Sequence, residues 1–327
     1  MEGVKSSRLT PVVPPVALTC VCVLAACTGG DGAAGGAAGR AASTATSAAA
    51  TPQASPSPTG LSPERYRSEL RAAMKPVRSG FASLAKAGSI DALESRLKRT
   101  EKALDGAVER LRGIDPPPEA IAEHAEYVAR LDAVHQRLGD ARDDVSDGSL
   151  CTSGAVRTKL GKSTFERLET AAKELNARGD YGAQAISVKV PKRRTRRLAN
   201  GTFIRNGGRG GRGYLRIRNG LSQDAVVTLV RGKSKVLSVY VRKRKSYQIN
   251  SVRDGTYRIY FTTGEDWDRS ARTFTRDCAF RRFEKSVRFR TYRTGYVIRW
   301  HNWSLTLHAV VGGNARTRNV KPRDFPR

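Results

Sequence analysis

The sequence predicts an α+β chain of two domains, an antiparallel helical bundle followed by an antiparallel β-sandwich or open barrel. Three observations carry this. Apolar residues recur with a period near 3.6 through the first part of the chain beyond residue 60, and with a period of two through the second. The charge also changes between the two parts. Residues 61–188 hold 21 Lys+Arg against 20 Asp+Glu, whereas residues 189–327 hold 35 against 8. The net charge of +29 is therefore concentrated in the second part. The span beyond residue 60, about 265 residues, suffices for two modest cores.

The N-terminal 60 residues belong to neither. Lys5 and Arg8 make a basic start, residues 11–26 carry no charge, and the run closes with Leu24-Ala25-Ala26-Cys27. Residues 1–26 thus have the pattern of a secretory signal with a small-residue cleavage site. The apolar run contains Pro14 and Pro15 and is too short and too broken for a stable membrane-spanning helix. Leu24-Ala25-Ala26-Cys27 resembles the lipobox of bacterial lipoproteins. That resemblance implies a diacylglyceryl group on Cys27 and cleavage before it, with Cys20 and Cys22 lost. Two acyl chains anchor stably, each buried methylene adding ~0.8 kcal/mol. Residues 27–60, nearly all Gly, Ala, Ser, Thr and Pro, have nothing to bury and read as a disordered tether spanning about 30 Å.

Residues 61–187 read as helices. A first helix covers about 63–87, with Pro76 as a kink position. Leu93, Leu97, Leu104, Val108 and Leu111 form one helical face, and Ile121, Val128, Leu131, Leu138 and Val145 another. Asp115-Pro116-Pro117-Pro118 separates these two helices, because proline ends one and is tolerated in the first turn of the next. A further helix spans Ser163 to Ala177, with Ser163 as N-cap and Glu166 completing a capping box. Short loops make neighbours antiparallel, as in an up-and-down bundle.

Residues 188–200 form a basic linker, and residues 201–327 read as a basic β domain of six or seven short strands. Leu215/Ile217, Leu237/Val239/Val241, Tyr257/Ile259/Phe261, Val287/Phe289 and Leu305/Leu307 alternate with polar residues. Asn219-Gly220, Asp254-Gly255 and Gly312-Gly313 are turn signals, and Asp254-Gly255 reads as a hairpin. No helical period interrupts the strands, which argues against a parallel α/β sheet.

Alternate strand positions share a face. With Leu215 and Ile217 inward, Arg216 and Arg218 point out. By the same count Tyr240, Arg242, Arg258, Tyr260, Arg288, Arg290 and Tyr292 point out. The outer face thus interleaves Arg with Tyr, and Arg both stacks on aromatics and forks onto phosphate. Lys192-Arg193-Arg194, Arg196-Arg197 and Arg242-Lys243-Arg244-Lys245 add to the field. Such a surface binds polyanions with strong salt dependence. Outside a membrane the anions at hand are lipid head groups and wall polymers, and nucleic acid is incidental.

Other constellations give less. Glu265, Asp266 and Asp268 offer carboxylates for Ca²⁺, but without the alternating oxygen spacing of a calcium loop. Salt bridging to Arg269, Arg272 or Arg276, with Trp267 as a loop anchor, is the expected role. Cys151 and Cys278 either pair, in an oxidising setting, or remain two buried thiols. His124 and His135 lie about 16 Å apart along a helix and read as satisfied core-edge histidines. His301 and His308 lie beside Trp300 and Trp303 without a flanking nucleophile motif. No nucleotide loop, zinc spacing or nucleophile elbow is present, so the chain reads as non-enzymatic, with no cofactor and no metal.

The segments Asn219-Gly220, Asp224-Ala225-Val226-Val227, Asp254-Gly255-Thr256-Tyr257, Tyr260 through Asp268, Phe274-Thr275-Arg276-Asp277-Cys278, Val310 through Ala315 and Asp324-Phe325-Pro326 are similar to a β domain of surface lipoproteins of actinobacteria and some other Gram-positive bacteria. The likeness covers about residues 200–327. The proline-rich turn and the helix bearing His124 resemble the helical half of the same lipoproteins. The resemblance implies architecture and location, and no activity. This chain departs from it in charge, since that β domain is associated with a near-neutral or acidic surface. Together these features predict a lipid-anchored extracytoplasmic protein whose basic β domain contacts anionic envelope components. The alternative is an accessory subunit that binds a protein partner through the helical bundle.

Overall fold

A computed structural model of the chain describes residues 60–308 and 316–326. Cys27, the tether and the Val310–Ala315 segment lie outside the described residues. Five α-helices come first: α1 (Pro63–Leu84), α2 (Ile90–Arg112), α3 (Ile121–Ser146), α4 (Ser153–Leu160) and α5 (Lys162–Arg178). Side-chain caps start three of them. Ser62 Oγ accepts from Arg65 N, Ser89 Oγ from Ala92 N and Thr152 Oγ1 from Ala155 N, each meeting an otherwise unpaired amide of the first turn. The Asp115–Pro118 run separates α2 from α3 as the sequence predicts, with a short 3₁₀ turn at Pro118–Ala120. One helix begins differently from expectation. Gly161, at φ 81°, turns the chain into α5. Ser163 therefore lies inside the helix, and no capping box forms. The helix α4 was not visible in the sequence, because eight residues carry too few apolar positions to show a period.

The helices share one core, to which α1 contributes Tyr66, Leu70, Met74, Val77, Phe81 and Leu84, and α3 contributes Tyr127, Leu131, Val134 and Leu138. His124 sits at its edge with both ring nitrogens satisfied, Nδ1 at 2.7 Å from Tyr66 Oη and Nε2 at 2.9 Å from Leu111 O. Burial holds its pKa below the ordinary histidine value despite the opposing carbonyl. Ile121, counted on the sequence's apolar face, is exposed. Among the described residues no helix is long and apolar enough to cross a membrane.

Residues 179–202 run without helix or strand, and strands follow: β1 (Phe203–Asn206), β2 (Arg209–Asn219), β3 (Asp224–Arg231), β4 (Ser234–Val241), β5 (Lys245–Val252), β6 (Gly255–Asp268), β7 (Thr273–Phe283), β8 (Val287–Phe289), β9 (Thr291–Thr294), β10 (Val297–Trp300), β11 (Trp303–Thr306) and β12 (Thr317–Asn319). The large sheet has the order β1-β4-β3-β6-β7-β12, with β8 also on β6. A three-stranded sheet runs β11-β2-β5, and β9 and β10 pair alone. Leu215, Ile217, Ile249 and Leu305 from the small sheet meet Val227, Val239, Ile259 and Phe261 from the large one in a single core. The arrangement is sandwich-like.

Two expectations about connections change. Asp254-Gly255 does not close a hairpin; β5 and β6 lie in different sheets, and the turn carries the chain between them. The Asp254 carboxylate is used instead by Thr291, whose N–H and hydroxyl donate to it at 2.6 and 3.1 Å. The tight hairpins fall elsewhere, at Gly232-Lys233 and Gly295-Tyr296, where the flanking residues pair directly. One pair is parallel, β11 alongside β2; the rest are antiparallel.

The helical and β parts meet where residues 148–151 run beside β7. Cys151 N donates to Thr275 O, Asp277 N to Ser149 O and Cys278 N to Gly148 O. A Cys151–Cys278 disulfide closes the contact. Gly148 has φ 88°, and a Cβ there would lie 2.7 Å from the Cys278 carbonyl oxygen. Gly148→Ala is therefore expected to lower stability by about 1–3 kcal/mol, read as a shifted denaturation midpoint with an unchanged slope.

Candidate polyanion interface

The exposed basic residues of the β part centre on β2. From this strand Arg212, Arg216 and Arg218 are exposed, and Tyr214 is half-buried between them. Leu215 and Ile217 supply the intervening inward positions, so the alternation puts these four on one outer face. Their neighbours are uncharged: Ser246 and Gln248 of β5 stand opposite Arg218 and Arg216, and Thr306 and Ser304 of β11 flank them on the other side. Lys245 pairs with Asn219, the residue next to Arg218. The exposed turn Lys243-Arg244-Lys245 lies beside this end of β2, although Lys245, opposite the buried Asn219, does not share the face of Arg218. Arg288, Arg290 and Tyr292 are exposed as well, but Arg288 stands opposite Thr256 of β6, on the outer face of the large sheet that also carries Arg258. They join β11 through two bonds, Trp303 Nε1 donating to Arg288 O at 2.9 Å and His301 N to Arg290 O at 3.2 Å. Arg212 and Tyr214 were missed in the sequence, although the same even-numbered count extended two residues back would have found them.

Four expected members do not join this face. Tyr240 is fully buried. It lies on the far side of the large sheet, and that side is covered by Leu198, Trp267 and Phe274. Tyr260 is also buried, under Phe325, with ring centroids 5.7 Å apart. Arg242 is only half-exposed, because its Nε donates to Leu198 O and its amide donates to Asn200 Oδ1. Arg258 is exposed but sits at the β3–β4 turn, donating to Gly232 O.

Three acids of this part of the chain, Asp224, Asp266 and Asp268, are held by arginines of the linker. Arg197 grips Asp224 with two bonds of 2.6 Å, and Tyr240 Oη and Lys243 N also donate to that carboxylate. Arg196 forks onto Asp266 at 2.9 Å through Nε and Nη2, its amide adds a bond at 2.8 Å, and Thr275 Oγ1 adds another. Burial alone would raise the Asp266 pKa. The Arg196 guanidinium and amide with the Thr275 hydroxyl override it and hold the group at about 2. Burial works against Asp224 and Asp268 as well, yet their donors keep both below the ordinary carboxylate range. The expected salt bridging of Glu265, Asp266 and Asp268 is thus present, though Arg196 is its main partner and Arg276 a secondary one at 3.7–3.9 Å. These residues and Trp267 belong to β6 and not to a turn.

Of the basic linker, Arg196 and Arg197 are therefore committed to carboxylates, while Lys192, Arg193 and Arg194 remain exposed. These three line a cleft of about 730 Å³ beside α4, together with Arg157 and Lys189. The surplus of positive charge also acts on Lys235. Its pKa is lowered first by burial and then by the charges of Arg205 and Arg272.

No family model matches the chain, and neither a curated protein nor a solved structure matches it.

Proposed function

We propose that this is an extracytoplasmic lipoprotein, held to the outer face of the plasma membrane by lipid on Cys27 and a disordered tether. In this reading the helices form a bundle domain, and a separate basic β domain contacts anionic envelope components, either lipid head groups or wall polymers. It is a binding or structural module without catalysis. One observation carries the reading: Arg216 and Arg218 share a strand face with uncharged neighbours, while Asp224, Asp266 and Asp268 are sequestered by Arg196 and Arg197. Lineage-wide Arg enrichment would raise basic residues evenly, whereas residues 61–188 are balanced at 21 against 20.

The test is partitioning of the protein onto phosphatidylglycerol vesicles, phosphatidylcholine vesicles and anionic wall polymer across a salt series. Binding to the anionic surfaces is expected to weaken steeply with salt. Each basic residue near an anionic surface contributes about 1 kcal/mol at most. Replacing Arg216, Arg218, Arg288 and Arg290 by Gln should therefore weaken binding by up to about a thousandfold, about 4 kcal/mol. Equal, salt-independent partitioning to all surfaces would reject the reading. It would leave the helical bundle, as the docking site for a protein partner, as the alternative.

A further inference from the structure

Large exposed apolar side chains are scattered on most protein surfaces, but here they are gathered. Tyr292, Tyr296, Val297, Trp300 and Trp303 are all exposed and fall within twelve residues; among the described residues only Ile121 is a further case. Four of them belong to the β9–β10 hairpin, which is a sheet of its own. Arg299 stands opposite Tyr292, and Arg293 opposite Ile298. One face therefore carries Tyr292, Val297 and Arg299, and the other carries Arg293, Ile298 and Trp300. The tip is a two-residue turn, with Gly295 at φ 59°. It leaves Tyr296 as exposed as in an extended chain, at 105%.

The hairpin is rooted and its tip is free. Asp254 holds Thr291 at its start, and the bonds from His301 N to Arg290 O and from Trp303 Nε1 to Arg288 O hold its end. A two-stranded hairpin open on both faces is at best marginal in water, so apolar residues on both faces imply a surface that covers them. No Asp or Glu occurs from residue 285 to 323, and the Asp254 carboxylate that meets the hairpin lies at its root, bonded to Thr291.

We propose that the β9–β10 hairpin inserts into the interfacial layer of an anionic phospholipid bilayer. Tyr and Trp rings are amphipathic and settle at head-group depth. Val297 and Tyr296 enter deepest, while Arg290, Arg293 and Arg299 keep their guanidinium groups at the phosphates and lay their stems along the apolar layer. A hydrated wall polymer offers charge but no apolar layer, so it accounts for the arginines and not for the tip. The inference rests on the anionic-surface reading above and narrows it to lipid.

The chain contains three tryptophans, and Trp267 is buried, so quenching by acyl-chain-brominated lipid reports on Trp300 and Trp303. The mature chain, residues 27–327, bearing Cys27→Ala to remove the lipidation site, is mixed with phosphatidylglycerol or phosphatidylcholine vesicles containing that lipid, and separately with anionic wall polymer. Quenching is expected on the anionic vesicles. Y296S/V297S should abolish it and weaken vesicle binding about tenfold (~1.4 kcal/mol) while leaving polymer binding unchanged. R293Q/R299Q, which keeps the apolar tip, should weaken anionic binding and flatten its salt dependence. Salt-dependent anionic binding without quenching, and indifferent to Y296S/V297S, would overturn the hairpin inference and leave the broader reading standing. Quenching equal on neutral and anionic vesicles would also overturn it, and no preference for any anionic surface would remove both.

Discussion

Replacing Cys151 and Cys278 by serine is expected to cost about 5 kcal/mol of folding stability. The bond closes a loop of 127 residues. Fixing two points so far apart in sequence removes much of the unfolded chain's freedom, and the chain-entropy relation gives about 5 kcal/mol for that length. Most of the effect resides in the unfolded state. The native hydrogen bonds from Cys151 N to Thr275 O and from Cys278 N to Gly148 O need no sulfur and should persist in the double variant. Total stabilities of folded domains are about 5–15 kcal/mol, so the loss is a third or more. Guanidinium denaturation of the wild type with and without reductant, beside the double variant, measures it. Reductant should move the wild type to the midpoint of the variant and leave the variant unmoved. Coincident midpoints for all four samples would mean that the bond adds nothing.

The sequence was most informative where one face of an element meets one core. Leu93 through Leu111 and Leu215/Ile217 show their inward positions directly, and Arg216 and Arg218 follow as outward. It misled at Tyr240 for a physical reason. Period-two alternation says which residues share a face but not what lies over that face. The cover over Tyr240 comes partly from Leu198, in a segment with no period at all, and partly from Trp267 and Phe274, which are distant in sequence. The same limit applies to Asp254-Gly255. A local turn signal describes a change of direction, and whether the next strand pairs with the last or joins the facing sheet is decided by long-range packing. The hairpin carrying Tyr296 leaves no core-facing pattern in the sequence, because its apolar residues serve no core. Arg196 and Arg197 resembled their exposed neighbours Lys192–Arg194, since a charge run does not reveal which members meet a carboxylate 70 or 27 residues away.

Those two arginines carry the second large effect. Asp266→Asn is expected to destabilise the fold by about 3 kcal/mol, at the lower end of the range for breaking a buried ion pair. The Asp266 side chain is 4% exposed and that of Arg196 37%, so the arginine left behind recovers part of its solvation. Arg196→Ala should cost more, because it strands a carboxylate with almost no access to water. The pH dependence has a definite sign. Asp266 titrates at about 2 when folded, against 3.8 unperturbed, so the native state favours the ionised form. Its contribution, about 2 kcal/mol, is fully present above about pH 4 and disappears as the pH falls toward 2. Denaturation midpoints measured from pH 6 to pH 2 should therefore drop in the wild type and drop less in Asp266→Asn; parallel curves would exclude a stabilising Arg196–Asp266 pair. The same variant also separates stability from binding. The Asp266 carboxylate lies behind the large sheet and not on the β2 face, so its neutralisation should leave salt-dependent binding to anionic vesicles unchanged within about twofold, even though the fold is weaker. If binding instead rose sharply, Asp266 would be restraining Arg196 from the anionic surface, and the basic face would extend through the linker into the cleft beside α4.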